Sequence, residues 1–221
     1  MSGLSCPSCG ADVPLRSTAP YAVCGYCQSI IMRSGAAPEA IGKTAVLPFD
    51  VSPIQIGTTL QADGLSFEVV GRVRWGWAQG SWNEWLLRGS DGSQRWLGEA
   101  MGMFMLTAER PDLLDQRIAL AFNETGVVEL NDRLEADGES FAAADIKQAH
   151  CLGGEGELPF PTPTDWSMVS VDFRTTDGSA LSMQRDELGT TIWHGRYIEL
   201  ESMRPRNLRI LEGWTMPGTL K

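Results

Sequence analysis

The sequence lacks a long hydrophobic run, an excess of basic residues and any cluster of histidines. Its apolar stretches fall far short of the roughly 18 residues that a membrane-crossing helix needs. The opening segment, MSGLSCPSC, has neither a basic region nor an apolar core, so no secretory signal is expected. That points to the cytoplasm, where thiols stay reduced. Bases number 18 against 28 acids, for a formal charge of −10. The imbalance is uneven: residues 108–221 carry twenty acids and eleven bases. A field of that sign repels phosphate backbones, so nucleic acid is not the expected partner. The one basic run, RPRNLR with Arg204, Arg206 and Arg209, reads as a solvated turn rather than a phosphate site. The chain also has no phosphate-binding glycine loop, dinucleotide fingerprint, nucleophile elbow or HExxH pair.

Cysteine is scarce as well, with five in 221 residues, but four of them fall in CPSCGADVPLRSTAPYAVCGYC at 6–27. Cys6, Cys9, Cys24 and Cys27 form two CxxC pairs fourteen residues apart. Each pair brings two thiolates together, and two facing pairs complete a tetrahedral cage for one zinc ion. A redox motif would need a single CxxC in a βαβ unit, and disulfides would need an oxidising compartment. Four thiolates leave no open position for water, so the zinc is expected to be structural. Gly10 after the first pair and Gly25 inside the second are expected where positive φ is needed. A ribbon over 1–35 is too small to fold on its core alone, and metal binding supplies the missing stability.

The small, polar stretch SGAAPEAIGKTA at 34–45 reads as part of a linker over 36–50. An internal repeat follows. LQADGLSFEVVGRV at 60–73 matches LEADGESFAAADIK at 134–147, and RGSDGS at 88–93 matches RTTDGS at 174–179. The offset grows by twelve residues between the two anchors, which marks an insertion containing HCLGGEGELPFP. In the first copy, Phe67, Val69, Val73, Trp75 and Trp77 alternate with polar residues and predict a strand with one buried face. AQGS and SDGS then read as turns of a meander. RPDLLDQRIALAF at 110–122, with Pro111 near its start, reads as a short connecting helix or as strand. The expected fold is mainly β: a zinc ribbon, then two related small antiparallel β-barrel or sandwich modules over 51–122 and 123–221.

GLSFEVVGRV, WNEWLL, a DG turn, RWL, GEGELPF and IWHGRYIEL occur in that order. Together they resemble the bacterial domain-of-unknown-function family 4178 over about residues 55–200. The CPSCGA…CGYC ribbon ahead of them is similar to that family's usual arrangement. The resemblance implies no activity and no catalytic residue. It implies a role in a complex, with a small membrane protein among the possible partners.

The GGEGELPFPTP segment, rich in glycine and proline, is expected to be a loop and the principal recognition element. Its Glu155, Glu157, Leu158, Pro159 and Phe160, with Trp82 of the tryptophan-rich hairpin, are the candidate partner-binding residues. The acidic charge favours a protein partner with a basic surface. Trp75, Trp77 and Trp85 are expected in a barrel core. The leading functional expectation is therefore a non-catalytic zinc-ribbon interaction or scaffolding protein. An enzyme using the acidic insertion near 150–157 is the alternative, and a zinc-ribbon nucleic-acid binder ranks behind both. His150 and Cys151 are neighbours in sequence, so on a strand they point to opposite faces and do not meet. His194 reads as a satisfied strand residue rather than a metal ligand.

Overall fold

Short alternating segments separated by glycine-bearing turns become strands throughout the computed structural model, which describes residues 2–33, 37–47, 51–213 and 218. The N-terminal ribbon holds two hairpins, β1 (Ser2–Ser5) with β2 (Asp12–Leu15) and β3 (Tyr21–Val23) with β4 (Ser29–Met32). A further strand, β5 (Glu39–Lys43), pairs with β4. Strand pairing thus reaches into the stretch read as linker, although all five β5 side chains are exposed.

A meander of β6 (Thr59–Ala62), β7 (Leu65–Trp77), β8 (Gly80–Gly89), β9 (Gln94–Ala100) and β10 (Met103–Glu109) follows, each strand antiparallel to the next. The segment at 110–122 resolves into a 3-10 turn at Pro111–Leu113 and α1 (Arg117–Thr125). Gly126 ends that helix in a left-handed conformation. The second run, β11 (Arg133–Ala136), β12 (Glu139–Leu158), β13 (Ser167–Arg174), β14 (Ser179–Asp186) and β15 (Gly189–Ile198), repeats the same order of antiparallel pairings. Asp63–Gly64 and Asp137–Gly138 each adopt two successive positive φ angles, the geometry of a tight I′ hairpin turn.

The mainly-β expectation holds, and the two runs are halves of one ring. β10 pairs with β15, and β12 pairs with β7. Eight strands close in the order β7-β8-β9-β10-β15-β14-β13-β12. Alternation along each strand then gives a lumen face and an outer face. On β8, Leu86 joins the inner cluster with Val73, Trp75 and Trp96, while Trp85 and Leu87 join an outer one. Ile54, Leu60, Leu200 and Met203 cover that outer face of the first run. Ala119 and Phe122 of α1 cover the corresponding face of the second, over Phe141, Phe173 and Leu181.

Two expectations are corrected by this register. Phe67 and Val69 do not share a face with Val73 and Trp75. The β7–β8 register shifts between Val69 and Gly71, and the extra residue flips the alternation, leaving Phe67 outside and Trp75 inside. The GGEGEL stretch is not a loop: it is the second half of β12, and it closes the ring against β7. Its glycines allow close approach. A Cβ on Gly156 would lie 2.3 Å from the Val70 carbonyl oxygen, and one on Gly154 would lie 2.7 Å from the Thr162 hydroxyl.

Candidate functional site

The ribbon's two hairpin ends carry the two CxxC pairs, and they are built alike. Gly10 N donates to the Cys6 carbonyl at 2.8 Å and Gln28 N donates to the Cys24 carbonyl at 3.0 Å. The residue after each second cysteine is left-handed, Gly10 at φ 77° and Gln28 at φ 60°. Gly25, expected to serve that purpose, does not take positive φ; Gln28 does. The four sulfurs lie within 4.8 Å of one another, with Cys6–Cys27 at 3.7 Å and Cys9–Cys24 at 3.8 Å. A tetrahedron with metal–sulfur bonds of about 2.3 Å has sulfur–sulfur edges of about 3.8 Å, so the thiols fit one metal ion of that size. Without a metal the four thiols share their protons unequally: hydrogen bonding at Ser29 lowers the Cys27 thiol, while the neighbouring cysteines raise that of Cys9.

The insertion residues tie this ribbon to the barrel. Glu157 is buried, and its Oε2 meets Arg33 Nη1 at 2.6 Å. Ser17 donates to Glu157 from its backbone N at 3.0 Å and from its hydroxyl at 2.9 Å, and the Arg16 N–H also donates to it. β3 pairs with the end of β12, Ala22 opposite Glu157 and Tyr21 opposite Leu158. Glu155 sits 3.6 Å from Arg72, a fully buried guanidinium that lies 4.7 Å from the Trp85 ring centroid. Burial lowers Arg72 to about 10, and Glu155 opposes that shift. Glu157 and Leu158 are thus enclosed at the seam between ribbon and barrel. Trp82, Pro159 and Phe160 face elsewhere, into the lumen.

The lumen is a cleft of about 490 Å³. Its lining runs from Met101 at the β9–β10 turn to Leu188 at the β14–β15 turn. Strand direction puts those turns at opposite rims of the ring. Seven rings form one continuous aromatic wall. Trp77 meets Trp82 at 5.5 Å, Trp82 meets Trp75 at 6.4 Å, and Trp75 meets Trp166 at 4.7 Å. Trp166 meets Phe160 at 4.9 Å, Phe160 stacks on Trp96 at 5.7 Å, and Trp96 meets Trp193 at 6.1 Å.

Glu84 of β8 stands within this wall. The indole N–H groups of Trp75 and Trp82 donate to its carboxylate at 3.1 and 3.0 Å. Gln184 of β14 donates at 2.8 Å, and because β14 lies opposite β8 in the ring, this bond crosses the lumen. Burial raises the Glu84 carboxyl above its ordinary value, against the lowering effect of those donors. Asp172 of β13 is raised for the same first reason, although Lys147 and Arg174 pull it down.

Sequence reasoning placed Trp75, Trp77 and Trp85 in a core and left Trp82 as a partner-binding residue; Trp75, Trp77 and Trp82 line the lumen, and Trp85 packs outside it. That reading missed that the core is hollow, and that Glu84, Asp172 and Gln184 point into it. The WNEW hairpin carried the available signal: a carboxylate two residues after one tryptophan shares that tryptophan's strand face. The other expectations settle simply. Cys151 is buried and raised to about 11 by desolvation, while the His150 side chain is exposed, so no Cys–His pair forms. His194 Nδ1 lies 3.3 Å from Asp137 and 3.2 Å from Arg110. No described helix is long and apolar enough to cross a membrane. A family model described as a domain of unknown function, DUF4178, matches residues 55–200. No curated protein and no solved structure matches the chain.

Proposed function

The chain belongs to the DUF4178 family, and on that premise we propose that it is a non-catalytic binding protein. The barrel lumen takes a small ligand or side chain, and the ribbon holds one structural zinc ion. The carrying observation is the hollow, aromatic-walled lumen. Small-molecule sites are clefts of about 300–1,000 Å³ with apolar and aromatic walls and a few convergent polar groups. The cleft falls in that range, and Glu84, Gln184 and Asp172 supply the polar groups. Zinc is supported by the all-thiolate donor set and the sulfur spacing. An acidic C-terminal half supports a basic protein partner, in the cytoplasm, over a nucleic acid.

Two measurements test the reading. Metal analysis should find about one zinc per chain. Protein purified from its own cells under native conditions should carry a small molecule that is released on denaturation, or should shift its tryptophan emission saturably with a probe that fits the lumen. A full-length protein free of metal with four titratable ribbon thiols refutes the zinc assignment. A lumen that neither retains a compound nor responds to any probe refutes the binding assignment.

A further inference from the structure

We infer that the lumen ligand carries an alkylammonium group, held between the tryptophan wall and the Glu84 carboxylate. This deepens the lumen-binding reading proposed above and rests on it. Glu84 is half-buried in the cleft, and a partly desolvated carboxylate gains from a proton or a cation beside it. Among the described residues, no lysine, arginine or histidine lies within ion-pair distance of Glu84. Its hydrogen-bond donors are two indoles and an amide, all neutral.

The lumen shows how it handles cations elsewhere. Lys147 Nζ sits 5.3 Å from the Trp77 ring centroid and is paired with Asp145. The Arg174 guanidinium sits 5.7 Å from the Tyr197 ring and helps to lower Asp172. Each internal cation therefore has an aromatic face and a carboxylate. Glu84 receives the N–H edges of Trp75 and Trp82, stands within the aromatic wall, and has no cation of its own. An incoming ammonium would pair with the Glu84 carboxylate while its alkyl chain packs on the ring faces of the wall.

Charge across the cavity agrees. Lining the lumen with Glu84 are Glu99 on β9, Glu109 on β10, Asp145 and Lys147 on β12, Asp172 and Arg174 on β13, and Asp186 on β14. Tyr197 on β15 is a neutral phenol at neutral pH, and burial raises it further. Six carboxylates, Glu84 included, thus share the lumen with two cations. Binding of an ammonium should draw the proton off Glu84, so affinity should rise with pH.

The test is tryptophan fluorescence titration of the full chain at neutral pH with n-hexylammonium, its neutral isostere 1-hexanol and the anion hexanoate. Hexylammonium should bind at least ten-fold tighter than hexanol, hexanoate should not bind, and Glu84→Gln should erase the preference. The melting curve of Glu84→Gln is recorded alongside, which separates loss of binding from loss of fold. A pH series on the unsubstituted protein gives a second readout: hexylammonium affinity should rise as pH climbs from about 4.5, the ordinary Glu84 value, through its raised value, and hexanol affinity should not. A lysine-bearing acetylated peptide forms a further arm. If it binds while free hexylammonium does not, the ammonium comes from a protein side chain; the reverse assigns a small molecule. Equal binding of hexanol and hexylammonium, with no pH trend, overturns the ammonium inference and leaves the lumen reading intact. No saturable response to any probe overturns both.

Discussion

Replacing Gly195 by alanine probes the ring closure most directly. Gly195 lies on β15 opposite Thr107 of β10, at one of the two seams where the halves join. A Cβ there would lie 1.8 Å from the Leu106 carbonyl oxygen, 2.8 Å from its carbon and 2.9 Å from the Thr107 Cα. Carbon and carbonyl oxygen need about 3.3 Å, so the strands must part by more than ~1 Å. Separation of that size carries ladder hydrogen bonds beyond useful length, at about 1 kcal/mol each for two or three bonds. Overpacking adds a further ~1–3 kcal/mol. The expected destabilisation is about 3–5 kcal/mol, or roughly 10 °C in melting temperature for a chain of this size. Gly71→Ala should behave alike at the other seam, where its Cβ would lie 1.9 Å from the Glu157 carbonyl oxygen. Gly25→Ala is the control, since nothing lies within 4 Å and its φ is not positive. The assay is thermal unfolding by circular dichroism. A Gly195→Ala protein that melts with the Gly25→Ala control would refute the closed ring.

Three further outcomes are expected. Gln28→Gly should stabilise the metal-loaded ribbon by about 0.5–1 kcal/mol, because the left-handed φ of 60° strains any residue with a Cβ; a faster loss of metal to a chelator than in the unsubstituted protein would contradict this. Glu157→Gln takes the carboxylate charge from Arg33, which keeps its bond to the Ser17 carbonyl, and should cost about 2–3 kcal/mol, read as increased proteolysis within the ribbon; the estimate stands below the value for a fully buried pair because Arg33 keeps 17% exposure. Stability should also fall as pH rises from about 4.5, the ordinary Glu84 value, through its raised folded value. The folded protein keeps a proton that the unfolded chain has released, so the slope is at most about 1.4 kcal/mol per pH unit for this group. Below the ordinary value both states are protonated and the contribution is complete. Glu84→Gln should flatten that slope, and an unchanged pH profile in urea melts would show that Glu84 is not desolvated.

Much of this architecture is legible in local sequence. The knuckles follow from two CxxC pairs, and the hairpins at Asp63 and Asp137 follow from Asp-Gly turns, because each signal is contained within a few residues. The exceptions depend on distant partners. One bulge residue between Val69 and Gly71 decides which face of β7 each side chain joins, and nothing in VVGR announces it. Glycines in GGEGEL suggested a loop, yet they are required by the approach of β7 and of Thr162 to the chain. Glu84 and Gln184 are one hundred residues apart in sequence and hydrogen-bonded across the lumen. Only closure of the ring brings them together, and closure depends on two pairings between the halves that alternation within either half cannot specify.

The halves match in backbone and differ in what they present. Both meanders place a register shift at the same point, between Val69 and Gly71 against β8 and between Ala143 and Asp145 against β13. These positions are related by the same 74-residue offset as the repeated LxADGxSF segments. That agreement supports the duplication proposed from the repeat, since a bulge is a specific backbone device retained with its strand. Inside the ring, the first half contributes Trp75, Trp77, Trp82, Trp96 and Glu84. The second contributes Asp145, Lys147, Asp172, Arg174 and Gln184. Both halves give aromatic rings to the wall, the second through Phe160, Trp166 and Trp193, and only the second adds cations, Lys147 and Arg174. The insertion in the second half lengthens β12 until it can pair with β7, β13 and β3. Its contribution to binding is indirect for Glu157, which fixes the ribbon to the seam, and direct for Phe160, which stacks on Trp96 and extends the aromatic wall. Recognition on this reading belongs to the cavity that the insertion helps to close, and the segment that looked like a surface loop is part of its frame.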